Sequence, residues 1–251
     1  MAERERRRWT RRETALAYRL YCELPFGKLH RNNERVIQMA QMLDRSPSSV
    51  ALKLVNFAHL DPEQRARGIR GMSNVSALDR EVTEFFTNDW DTAIVETTDD
   101  WTQMERDEEA AERTNGATEG IGSVKIRLTQ RFFRRSVLAA YDFACCLCSI
   151  PTRELLIASH IMPWATAPKE RTNPKNGLAL CALHDRAFDA GLLTVSPAFT
   201  MRVSSEILCH EDIPVIKAAF VALNGSLMRP PTRFAPDPRF LTYHSREIFR
   251  P

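Results

Sequence analysis

Apolar side chains in the first sixty residues recur at helical rather than alternating spacing, and they fall into three runs. The first (Trp9, Leu16, Ala17, Leu20) predicts an amphipathic helix whose start is marked by Thr10 and Glu13, spaced as in a capping box. After the break at Pro25 and Gly27, residues 35–44 place Val36, Ile37, Met39, Ala40 and Leu43 on one face and predict a second helix. Ser46 then offers a capping hydroxyl, and Pro47 suits a first helical position where no N–H partner is needed. A third helix over residues 51–57 therefore follows the second after a very short turn.

Beyond residue 60 the pattern is looser, with Gly68, Gly71 and an aromatic stretch at Phe85, Phe86 and Trp90. Residues 99–122 are acidic and poor in apolar side chains, and they close on Asn115-Gly116-Ala117-Thr118-Glu119-Gly120. This composition predicts a linker, with a solvated helix as the form any order in it would take. From residue 124 the character changes again. Residues 131–141 make a basic amphipathic helix, and residues 155–158 form an apolar, strand-like run that ends in Ser159-His160. Leu193-Thr194-Val195 and residues 200–203 predict a hairpin, residues 213–223 a further helix, and the tail through Tyr243 to Arg246 packs on that core. The expected class is α+β: an all-helical domain over 1–98, an acidic linker over 99–122, and a mixed domain over 123–251.

Charge sharpens this division. The net formal charge is only +3, but residues 1–71 carry fifteen basic against eight acidic side chains, residues 72–120 three against fourteen, and residues 121–251 seventeen against ten. Two basic bodies thus flank an acidic connector. Basic surfaces gather on phosphate chains because contact releases counterions, although such charges also simply solvate helices. No run of eighteen apolar residues exists and the first residues are charged, so neither a membrane span nor a secretory signal is expected, and the default location is cytoplasmic.

Six cysteines remain to be explained: Cys22, Cys145, Cys146, Cys148, Cys181 and Cys209. In a reducing compartment such residues serve as metal ligands or packed thiols more often than as disulfides. Cys145-x-x-Cys148 and Cys181-x-x-His184 are two pairs whose spacing lets a tight turn aim two side chains at one ion. Four such ligands would close a tetrahedral Zn2+ site with no position free for catalysis, so the expected zinc is structural. Packed free thiols are the plainer alternative.

Two resemblances give these patterns a function. Trp9-Thr10-x-x-Glu13 together with helix–Arg45-Ser46-Pro47-Ser48-Ser49-Val50–helix resembles the Myb/SANT-like helix-turn-helix over about residues 8–60. The resemblance implies that Ser48, Ser49, Lys53 and Asn56 face DNA, the alternative being a plain three-helix bundle that packs on its neighbours. More specific is Ser159-His160-Ile161-x-Pro163-Trp164, then Asn176-Gly177-Leu178-x-Leu180, then His184-Asp185-x-x-Phe188-Asp189-x-Gly191, which resembles the HNH endonucleases over about residues 125–250. That family's fold is a ββα-metal finger around one divalent cation, Mg2+ or Mn2+ being expected here.

The resemblance implies that His160 is the general base, Asn176 the middle Asn, and Asp185 the final motif position and holder of the catalytic cation. The chemistry is apt for each. A near-neutral imidazole can accept a proton from water, a neutral amide can hold a loop by hydrogen bonds, and a carboxylate can fix a cation against a phosphate. Relatives often carry an acidic residue or His just before the base, where this chain has Ser159, so Asp185 would bear more of the cation. His184 is a ligand either of zinc or of the catalytic ion, with zinc preferred because Asp185 stands nine residues after Asn176. Asp189 is expected to be structural, with a secondary metal role as the alternative.

The expected protein is therefore a DNA endonuclease acting on double-stranded DNA, a homodimer because one such site cuts one strand, and suited to restriction of foreign DNA. A phage or mobile-element nickase and an inactive, zinc-braced DNA-binding regulator are the competing readings.

Overall fold

A computed structural model describes residues 7–69, 75–112 and 121–251, with side chains described throughout except at 103–112 and 121–127. The chain divides into two compact units, Met1–Leu128 and Thr129–Pro251.

In the first unit, α1 (Arg11–Glu23) begins at the expected capping box: Thr10 accepts from the Glu13 N–H while the Glu13 carboxylate accepts from the Thr10 N–H. The helices α2 (Glu34–Met42) and α3 (Pro47–Leu60) follow, capped by Asn33 and Ser46. This unit does not stop at three helices. α4 (Pro62–Ala66), α5 (Ala77–Asn88) and α6 (Trp90–Glu112) belong to it too, and α1 packs against α3, α5 and α6. Tyr18, Phe57, Phe86 and Trp90 make an aromatic core whose ring centroids lie 4.8–6.5 Å apart. The helical body also runs past residue 98: residues 99–112 continue α6, and Trp101 is fully buried with the Arg19 guanidinium 4.5 Å from its ring centroid. The acidic stretch therefore starts as packed helix, because one tryptophan inside it has a buried seat. Residues 113–120 lie outside the described part.

The second unit is built on a short antiparallel hairpin and one helix. α7 (Ile121–Ala140), the helix carrying the expected basic amphipathic run, leads into it. Strand β1 (Leu156–His160) pairs with β2 (Gly177–Cys181), with Leu156 opposite Cys181 and His160 opposite Gly177. α8 (Ala182–Asp189) follows β2 without a loop. The closing hairpin forms as expected from β3 (Leu193–Val195) and β4 (Met201–Val203).

Two glycines are required by close approach. At Gly191, whose φ is +73°, an added Cβ would fall 2.2 Å from the Ile248 carbonyl oxygen, where the C-terminal segment crosses. At Gly177 an added Cβ would fall 2.3 Å from Val137 Cγ2 and 2.9 Å from Phe133 Cζ, both on α7. Short helices α9 (Ser205–Leu208), α10 (Pro214–Ala219) and α11 (Pro238–Tyr243) complete the unit. The helix expected over 213–223 is broken at Phe220, whose φ of −132° and ψ of −53° leave the helical region. The break places the buried Phe220 ring edge-on to His184, 5.5 Å between centroids. No helix among the described residues is long and apolar enough to cross a membrane.

Candidate functional site: a cysteine–histidine corner and a histidine–aspartate cleft

The junction from β2 to α8 supplies side chains to two neighbouring sites. The first is the corner formed by Cys145, Cys148, Cys181 and His184, whose ligand atoms all lie within 4.8 Å of one another. Among the described residues these four make the one such group of possible metal ligands. The turn after α7 is tightly wound, with positive φ at Asp142, Phe143 and Ser149, and this bends Cys145 and Cys148 to one side.

Three observations fit the corner to a tetrahedral zinc ion. Zinc–sulfur bonds of about 2.3 Å imply sulfur atoms roughly 3.8 Å apart, and Cys148 Sγ lies 3.8 Å from Cys181 Sγ. His184 turns Nδ1 inward, 3.7 Å from Cys145 Sγ and 3.2 Å from Cys181 Sγ, while its outer Nε2–H donates to the Ala219 carbonyl at 2.8 Å. Such an outer hydrogen bond fixes the tautomer of a metal-binding imidazole.

The third observation is electrostatic. Burial opposes ionisation of the Cys145 thiol, yet His184 and the backbone N–H groups around it bring that thiol down to about 6. Burial and the neighbouring sulfurs push Cys148 up to about 12. Thiolates this close repel one another, and a cation among them removes the conflict. A Cys3His corner of this kind can hold zinc. Cys146, fully buried between two ligands, is a packing residue.

The second site is an open cleft of about 440 Å³, walled by Ser159, His160, Trp164, Asp185, Asp189 and His244. His160, at the end of β1, and Asp185, on the first turn of α8, thus open on the same space. The His160 ring stacks on Phe133 at 3.8 Å with only 6° between planes, and Trp164 meets it edge-on at 5.5 Å. Its Nε2–H donates to the Arg171 carbonyl at 3.0 Å, which leaves Nδ1 as the unprotonated nitrogen of the neutral ring. Burial holds the imidazole below its ordinary pKa, so the neutral form is favoured.

Asn176 is fully buried and does what a neutral amide can. Its Oδ1 accepts from the Met162 N–H at 2.8 Å, and Nδ2 donates to the carbonyls of Met162 and Glu170. It thereby clamps both ends of the loop that carries Trp164 and Arg171. Burial raises the Asp185 carboxyl, the Ser159 hydroxyl beside it pulling the other way. That hydroxyl is itself buried and makes no bond of full hydrogen-bond geometry. Asp189 lies one helical turn beyond Asp185 and borders the same cleft, a position that sequence reasoning weighed mainly as structural. Its spacing of four residues on a helix was the available signal. His244, which the sequence left without a role, forms part of the wall. It is buried, stacked on Phe188 at 3.6 Å and bonded to Thr194 Oγ1 at 2.9 Å.

The expected DNA-facing residues of α3 divide differently. Ser48 is exposed and Ser49 is half-buried, its N–H engaged by Ser46. Asn56 is half-buried with Oδ1 shielded and unbonded. Lys53 is a correction: it is buried, its Nζ is 2.6 Å from Asp79 Oδ1, and it stands 4.7 Å from the Trp9 ring centroid. Its alkyl chain and charge are used inside the unit, so it does not face a ligand. Trp9, expected on the apolar face of the first helix, precedes that helix and is held between Lys53 and Arg45.

A family model described as HNH endonuclease matches residues 145–196. This span contains both ligand pairs, β1, β2, α8 and every cleft residue named above except His244. No curated protein matches the chain. The match supports a nuclease in general for the C-terminal unit, and nucleases of the HNH kind use metal ions.

Proposed function

We propose that the C-terminal unit hydrolyses phosphodiester bonds of double-stranded DNA, with His160 as general base and a divalent cation, Mg2+ or Mn2+, held from Asp185. The observation that carries this reading is the shared cleft: an imidazole with one free, unprotonated nitrogen opens on the same space as a carboxylate. Nδ1 of His160 takes a proton from water as the water oxygen bonds to phosphorus. The bond from phosphorus to the 3′ oxygen then breaks, leaving a 5′-phosphate and a 3′-hydroxyl after that oxygen gains a proton from solvent. Stacking on Phe133 and the bond to Arg171 hold the ring in one orientation throughout, so little reorganisation accompanies proton transfer.

Asp185, with Asp189 one turn away, holds the cation, and Ser159 offers a neutral oxygen where relatives supply an acidic residue or His. The cation, when bound, neutralises charge that builds on the phosphate. The Cys3His corner holds structural zinc and locks the start of α8, and hence Asp185, in place. Helices α1–α3 contact DNA in the manner of a Myb/SANT-like module, through the start of α3 at the exposed Ser48 and the half-buried Ser49. Double-strand cleavage by one site per chain calls for a homodimer, and the combination suits restriction of foreign DNA in the cytoplasm.

Incubating supercoiled plasmid with the protein and Mg2+ or Mn2+ tests the reading. Cleavage that falls by roughly 100- to 10,000-fold in His160→Ala, at unchanged fold, is the expected result. Persistent open circles would identify a nickase and linear product the dimeric cutter. Ser159 favours one other reading, a zinc-braced DNA-binding regulator without catalysis. Equal, negligible cleavage by wild type and His160→Ala with DNA binding intact would select it.

A further inference from the structure

The side chains around His160 border a second hollow as well. This depression of about 320 Å³ is lined by Gln130, Phe133, Arg134, Ile157, His160 and Trp164. It shares Ile157, Ala158, His160 and Trp164 with the catalytic cleft, so the two adjoin along one strip of side chains. Most of its lining is hydrocarbon or aromatic. Its polar edge comes from α7, where Gln130 and Arg134, one turn apart, are both exposed. Arg134 has no acidic partner among the described residues, unlike the arginines of α1, which pair with acidic side chains of the first unit.

This combination has a chemical sense. A flat, apolar floor beside an aromatic edge suits the faces of a base and sugar, and an unpaired guanidinium at the rim suits a phosphate, which it can engage by two parallel hydrogen bonds. The size is at the lower end of small-ligand clefts, roughly 300 Å³ and upward. We propose that the depression is a subsite for the nucleotide next to the scissile phosphate: Arg134 holds the adjoining phosphate, and Gln130 and Trp164 meet the base and sugar. The proposal rests on the nuclease reading above. It gives α7 a role beyond packing, as the element that sets the register of the strand over His160. Arg134 is then a positioning residue, acting on where the phosphate lies and not on the proton transfer.

The test separates this proposal from the nuclease reading by using two probes on the full-length protein. Binding of a short labelled duplex is measured by anisotropy in Ca2+ over a series of salt concentrations, for wild type, Arg134→Ala and Arg134→Lys. Hydrolysis of bis(p-nitrophenyl) phosphate, which has no adjoining nucleotide, is measured in Mn2+ beside hydrolysis of DNA. In Arg134→Ala the slope of log affinity against log salt should become shallower by about one, the share of a single phosphate contact. Affinity at low salt should fall roughly tenfold, with part of it restored in Arg134→Lys. The loss of kcat/KM on DNA should exceed the loss on the small ester by roughly the same factor.

An unchanged salt slope in Arg134→Ala overturns the subsite, as does equal loss on DNA and small ester with no recovery in Arg134→Lys. If the slope changes as expected while wild type hydrolyses neither substrate, the nucleotide contact stands and the nuclease reading falls.

Discussion

The cysteine–histidine corner and the histidine–aspartate cleft draw on consecutive residues of one helix, yet they are built on opposite principles. His184 and Asp185 start α8 side by side, and a helix turns successive side chains by about 100°, so one looks into the corner and the other into the cleft. The corner is closed: four donors converge within 4.8 Å, and the imidazole is tied from behind to Ala219. The cleft is open: one ring is pinned by Phe133 and Arg171, and the carboxylates beside it are left without a comparable set of converging donors. A saturated site can only brace, whereas an unsaturated one has room for a cation, water and phosphate. On the proposed nuclease reading the two divide labour across a single turn of backbone.

The largest effect should come from breaking the closed side. Zinc binding in small zinc folds is worth on the order of 10 kcal/mol, so Cys181→Ser should lose stoichiometric zinc and the cooperative unfolding of the C-terminal unit. Metal analysis and calorimetry read both, and a fully folded variant with normal zinc would show that the corner braces nothing.

A smaller effect concerns His244, a cleft-wall residue built in the closed manner. Burial drives its pKa down to about 4, below an unfolded value of about 6.5. The unfolded chain therefore binds the extra proton first, and stability falls as pH drops from about 6.5 towards 4, being fully present above that window. The full contribution is about 3 kcal/mol, and thermal unfolding across pH should show it. In His244→Gln that pH dependence should flatten, and an unaltered slope would remove His244 from the account.

The smallest effect tests the open side. Asp189→Asn should raise the Mg2+ concentration needed for half-maximal cleavage roughly tenfold, with kcat at saturating metal largely retained. A metal dependence identical to wild type would leave the cation to Asp185 and make Asp189 a wall residue only.

Much of this arrangement could be read from local sequence, because its causes are local. The Thr10–Glu13 box, the Ser46 cap with Pro47, the strand ending at His160 and the β3–β4 hairpin each depend on residues a few positions apart. The Cys-x-x-Cys and Cys-x-x-His pairs were legible for the same reason, and the ordered motifs around His160, Asn176 and Asp185 brought the cleft residues together on paper. What failed to show were partners distant in the chain. Lys53 looked like a free cation on a recognition helix until Asp79, twenty-six residues away, claimed it. Trp101 made packed helix of an acidic tract, and the break at Phe220 sets that ring against His184, a partner far away in the chain. The carbonyl that selects the His160 tautomer, that of Arg171, belongs to a loop whose path no periodicity encodes.

The missing carbon at Gly177 reaches further than the strand it belongs to. Phe133, which a methyl group there would strike, is the same ring that lies flat beneath His160, opposite Gly177 in the hairpin. A randomised library at this codon, selected for any trait that needs a correctly seated imidazole, should therefore return glycine alone. Variants that regain fitness should do so through smaller side chains at 133 or 137, not at the histidine.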